Sequence, residues 1–167
     1  TSGSWHVVTM NVGPRGLQAC LQRMEQLLQH HNTLPAAIHV QDIKLTTRRA
    51  KTIHDMLKRI LPDYTAYYEI RPDRKSKRYS LGVLTLLRND VAFGAERARV
   101  QDLINNDSLV NKEQRQEMVP HCAGRVLLVK SKPAGGRGAV WHLNVYQHTS
   151  SAPAAHRSAV YIACTNI

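Results

Sequence analysis

Apolar and polar positions along the chain alternate with two periods, and the switches between them mark the elements. "SWHVVTMNV" (residues 4–12) is a β-rich run ending at Asn11, and "GPRG" must then turn the chain. From 16 to 31 the apolar residues fall at Leu17, Leu21, Met24, Leu27 and Leu28, the spacing of an amphipathic helix. "NTLP" breaks it, and "AAIHVQDI" is an apolar second strand, central in its sheet. A β-α-β unit with a parallel pair and a right-handed crossover follows.

Thr46 and Thr47 can cap the next helix, "RRAKTIHDMLKRIL", which puts Ile53, Leu57, Ile60 and Leu61 on one face before Pro62 stops it. "YTAYYEI" alternates as a strand, "RPDRKSKRYS" is an exposed loop, and "LGVLTLLRNDV" (81–91) is a strongly apolar strand closing on an Asn-Asp turn. Residues 97–119 are polar, with one short helix around "NKEQRQEM". A β-hairpin then runs out over 125–130, turns in the Pro/Gly-rich stretch 133–138 and returns over 139–146. A last helix starts near Pro153 with Ala155, Ala159 and Ile162 on its apolar side.

Composition narrows the class. The 167 residues are 43% hydrophobic, enough for one domain with a core. Lys+Arg number 23 against 12 Asp+Glu, a formal net charge of +11, which calls for a polyanionic partner. Aromatic residues make up only 5%, so phosphate contact is favoured over extensive base stacking. Cys20, Cys122 and Cys164 are odd in number and far apart, which fits a reducing intracellular compartment, nuclear or organellar, better than a disulfide framework. No apolar run approaches a membrane span, and the start "TSGSWHVV" has neither an initiator Met nor a signal pattern, as in a piece of something longer.

Two polar residues close successive strands, the second of them buried. Asn11 ends the first and Asp42 the second; singly, each reads as a turn or cap residue. The ends of adjacent parallel strands converge on one cleft, so together they mark a candidate site. Basic residues gather nearby in sequence. Arg48, Arg49 and Lys51 occupy the first turn of the second helix, where the helix dipole disfavours cations unless a phosphate binds. Arg71, Arg74, Lys75, Lys77 and Arg78 crowd the 71–78 loop. Either set is a phosphate-binding surface or a solvated face. Of the nine histidines, His39 and His142 lie within strands and read as core or surface residues.

Five segments in order carry a family likeness: "TMNVGPRGL", "HVQDIKL", "LGVLTLLRNDV", "GRVLLV" and "LNVYQHTS". They are similar to the W-N-x-x-G-L, L-Q-E-T-K, G-V-A-I-L-V-R, pre-hairpin and N-x-Y-x-P segments of the endonuclease/exonuclease/phosphatase superfamily. The chain resembles the amino-terminal part of that superfamily, most of all the endonuclease domain of LINE-type retrotransposons, over residues 5–150 or so. The resemblance implies an α+β fold. It would be a partial four-layer α/β/β/α sandwich of mixed sheets, truncated at the C-terminus, with 1–167 forming a single incomplete domain.

It also implies Asn11, Asp42 and Tyr146 as vestigial or partial catalytic residues, with His148 at the cleft mouth. Asp42 would be the ligand for Mg²⁺ or Mn²⁺. Such an ion takes hard oxygen ligands at about 2.0–2.1 Å, and Asp42 is one methylene shorter than the family's Glu, so the ion would be held weakly or not at all. The family's G-D-x-N and S-D-H segments have no counterpart here, and "INNDSL" (104–109) stands in the wrong order to replace them. General acid–base work needs a positioned pair.

Two functions follow from the resemblance. The first is a catalytically inactive, retrotransposon-derived nucleic-acid-binding protein, packed in a larger ribonucleoprotein such as an organellar ribosome, with a protein partner covering the missing half of the sandwich. The second is a Mg²⁺-dependent DNA endonuclease whose remaining catalytic groups lie outside this chain.

Overall fold

Val7–Asn11 forms β1, a short 3₁₀ turn at Gly13–Arg15 follows, and Gly16–Gln29 forms α1. Then come β2 (Ala37–Gln41), α2 (Thr47–Ile60), β3 (Tyr64–Ile70) and β4 (Gly82–Arg88). The second half holds β5 (Glu96–Ala98), α3 (Val100–Asn105), α4 (Lys112–Cys122), β6 (Val126–Ser131), β7 (Val140–Val145) and α5 (Ala154–Thr165). This computed structural model describes residues 5–30, 33–45, 47–71, 82–105, 110–132, 138–147 and 150–165.

The first sheet has the order β1-β2-β4-β3, with β1 parallel to β2 and the other pairs antiparallel. The expected β-α-β unit is therefore present, and β2 is central. Its two faces serve different cores: Ile38 and Val40 pack with Leu21, Met24 and Leu57 of the helices, while Ala37 packs with Leu127 and Val129 of β6. The second sheet, β5-β6-β7, is antiparallel and buries Val126 and Leu128 against Ile104, Cys122, Ala159 and Ala163 of α3, α4 and α5. An α+β fold of one mixed and one antiparallel sheet results.

Several expectations are corrected. The strand expected to run through Asp42 stops at Gln41, because Asp42 takes a left-handed backbone with φ 58°. Residues 97–119 hold more than one helix. β5 forms there despite its charges because β6 supplies a ladder from Lys130 to Leu128, and α4 starts from a reciprocal cap between Asn111 and Gln114. Leu27, expected in the core, is 49% exposed. In α5 the buried residues are Ala159, Val160 and Ala163, while Ala155 is exposed. The caps expected at Thr46 and at the Thr47 side chain, and the turn at 133–137, lie outside the described residues.

The returning hairpin strand inverts the usual pattern. In β7 the polar His142 and Asn144 are buried, while Trp141 and Leu143 are exposed. The inward positions face β2 and β4, and their polarity builds the site.

Candidate functional site

Gly82 shapes the loop after β2. A Cβ there would lie 2.7 Å from Ile43 Cγ1, so only glycine lets Ile43 seat against the β4 start, where its N–H donates to Gly82 O at 3.0 Å. With Ile43 buried, both neighbours adopt left-handed backbone, Asp42 at φ 58° and Lys44 at φ 45°. Each costs roughly 1 kcal/mol or more for a non-glycine residue, and the anchored Ile43 offsets it. The strained pair meets itself: Lys44 Nζ lies 3.3 Å from Asp42 Oδ2, and Nζ also reaches Gly13 O at 3.5 Å.

Beneath them a side-chain bridge joins the two sheets. Asn144 Nδ2 donates to Leu84 O at 2.8 Å and to Val40 O at 3.3 Å, and Asn144 Oδ1 accepts from Gln41 Nε2 at 2.8 Å. Gln41 Nε2 donates in turn to Thr9 Oγ1 on β1 at 3.1 Å. Four strands from the two sheets are thus tied together next to Asp42. Asn11, the register partner of Gln41, accepts at Oδ1 from the N–H of Gly13 at 2.8 Å, the turn role its position allows.

Arg125 and Tyr146 complete this end. The guanidinium lies 5.3 Å from the Tyr146 ring centre, and Nη1 donates to the carbonyls of Tyr146 (3.1 Å) and Gln147 (3.2 Å). Burial holds the Arg125 pKa below the ordinary arginine value; the Arg71 charge lowers it further, while Tyr146 and Asp42 raise it. Arg71 and Asp42 therefore act on one guanidinium. Asn11, Asp42, Tyr146 and Arg71 are brought to one end of the molecule.

Of the other predicted basic residues only some are described. Lys51 is exposed on α2, and the backbone of Arg48 and Arg49 forms the first turn of that helix. A depression of about 550 Å³ runs from Lys44 to Thr52 and Ile53 of α2. Arg74, Lys75, Lys77, Arg78 and His148 lie outside the described residues. Gln41, Lys44, Arg125 and Asn144 had not been singled out from sequence. The readable signal was polar residues at the inward phase of "VWHLNV".

These donors do not suit a divalent cation. Asp42 is one carboxylate, already approached by an ammonium at 3.3 Å and influenced by a guanidinium. Among the described residues no three His, Cys, Asp or Glu side chains are grouped to hold a metal. Mg²⁺ favours anionic oxygens in octahedral array, which this set lacks. His39 and His142, by contrast, are core residues. His39 Nδ1 pairs with Thr85 Oγ1 at 3.2 Å and His142 Nε2 with Ser131 Oγ at 3.1 Å.

The sequence matches no protein-family model and no curated protein. In structure it is similar to an AP endonuclease, LMAP from Leishmania major, with a TM-score of 0.57 at 19% identity. The match covers 89% of this chain and 41% of that one, so the chain spans about two fifths of its structural neighbour. The likeness is one of fold, an endonuclease/exonuclease/phosphatase-like fold. No helix among the described residues is long and apolar enough to cross a membrane.

Proposed function

We propose that the chain binds nucleic acid by its phosphates and does not hydrolyse them through a metal held by its own residues. One observation carries this reading: the Asp42 carboxylate is paired with Lys44 and shares its surroundings with Arg125 and Arg71. Among the described residues that meet there, three cations against one anion attract a phosphate and repel a divalent ion. The formal charge of +11 acts in the same direction over longer range.

In the finer form of this reading, the three apolar clusters are the interfaces of a four-layer α/β/β/α sandwich, supported by the helices lying against the outer face of each sheet. Descent from a LINE-type endonuclease rests on the sequence motifs. Residence in a ribonucleoprotein rests on charge.

Binding of labelled duplex DNA or structured RNA is expected to weaken linearly in log–log salt plots. Lys44→Ala and Arg71→Ala should each flatten the slope by about one. Fluorescence anisotropy across a salt series measures this, and slopes equal to the parent's in both variants would remove the phosphate site from this end.

A second reading has one observation in its favour, the fold shared with an AP endonuclease. In it the chain is part of a Mg²⁺-dependent endonuclease whose other catalytic groups lie elsewhere. The two readings part at Asp42→Ala. Under the first, the chain with Mg²⁺ leaves supercoiled plasmid intact, and the variant binds DNA at least as tightly because a negative charge is gone. Nicking that needs Mg²⁺ and disappears in Asp42→Ala would replace the first reading with the second.

A further inference from the structure

β1 is an edge strand, and among the described residues no strand pairs with its outer side. The polarity of that edge can be read from one bond. Val12 donates its N–H to Gln41 O, so counting back by twos, Met10 and Val8 turn their backbone groups toward β2. Thr9 and Val7 turn theirs outward. Val7 is 55% exposed and Val8 39%, and neither a charged residue nor a proline stands within Val7–Asn11. Folded proteins ordinarily block such an edge with lysine, proline or a bulge.

Depressions and exposed side chains flank the edge. On the helix side, Val8 and Met10 line a groove of about 320 Å³ with Met24 and Leu27, and this open groove is why Leu27 escapes burial. A second depression of about 650 Å³ continues along Met10, Cys20 and Arg23. On the opposite side Trp5 stacks on His142 with ring centres 6.3 Å apart. β7, the neighbouring edge of the other sheet, leaves Trp141 50% exposed and also lacks charges.

We infer that β1 is a strand-addition site, occupied by an extended, acidic-flanked segment of another polypeptide. Alternate apolar side chains of the incoming strand would fill the Val8–Leu27 groove, and its backbone would pair with Val7 and Thr9. Charge decides the occupant. A second copy would bring another +11 to the interface, whereas glutamate or aspartate next to the apolar positions meets Arg23. The inference is independent of the phosphate site.

The test uses the full chain and a synthetic peptide of roughly nine residues alternating valine with threonine and ending in two glutamates, with a two-lysine version as control. The acidic peptide is expected to slow amide exchange at Val7 and Thr9 by roughly tenfold or more, and the basic one to leave both unchanged. Val7→Pro removes an outward N–H without touching the β2 ladder, so protection of Thr9 should vanish while the β2 amides stay protected. Val8→Lys, which places a charge in the groove, should have the same effect. Unchanged exchange with the acidic peptide overturns the inference. So does equal protection by both, or a free chain that dimerises through β1 in sedimentation at high salt.

Discussion

Acidifying the folded chain from neutral pH to about 4 is expected to remove roughly 3 kcal/mol of stability through one imidazole, His142. Burial first, and then the charge of His39, lower its pKa from 6.5 to about 4. In the unfolded chain the ring protonates near 6.5 and in the folded chain near 4, so between these values the unfolded state binds more protons. The loss sets in as pH falls through 6.5 and is nearly complete by 4, below which both states carry the proton. His39, whose pKa burial also lowers, adds in the same direction. The cause is geometric: His142 is only 5% exposed, bonded to Ser131, stacked by Trp5 and faced by His39. Urea unfolding at stepped pH should show the loss in the parent and a much flatter profile in His142→Gln. Equal pH dependence in both would refute the assignment.

Replacing Asn144 is expected to cost about as much. Asn144→Ala should destabilise by roughly 2–4 kcal/mol, because it opens a void and leaves Gln41 Nε2 without its buried acceptor. Asn144→Asp separates the chemistry from the volume. It puts an acceptor where Nδ2 donated to the carbonyls of Leu84 and Val40, so at neutral pH it should cost more than alanine despite its shape. Lower pH should restore part of that difference as the carboxyl takes up a proton. Thermal unfolding of both variants at two pH values measures it, and an aspartate variant as stable as the parent at neutral pH would show that the bridge contributes nothing.

These two residues also mark what could be read from the chain and what could not. The β-α-β unit was legible because α1 repeats its apolar residues at helical spacing and β2 is apolar throughout. β5 and α3 were not, since three residues with two charges become a strand only when β6 offers a ladder. Asn11 and Asp42 were legible as strand-end residues. Their surroundings were not: Lys44 is two residues from Asp42, yet the pairing depends on the backbone that Gly82 permits. Asn144 was hidden because nothing in the local sequence says which face of β7 turns inward, and its polar positions His142 and Asn144 are the buried ones. The reversal follows from the sheets facing each other across β2 and β7, which local alternation does not encode. Arg71 was picked for its place in a basic cluster, and its nearness to Arg125 came only with the fold.

Gln41 and Asn144 are 103 positions apart, so the bridge bears on how the chain folds as well as how it holds. Closing so long a loop is entropically slow compared with forming α1 or the β6–β7 hairpin. The end that carries Asp42 and Arg125 is therefore expected to mature last. During synthesis, the amino-terminal sheet would wait on the ribosome with its polar keystone missing until the hairpin emerged to supply it.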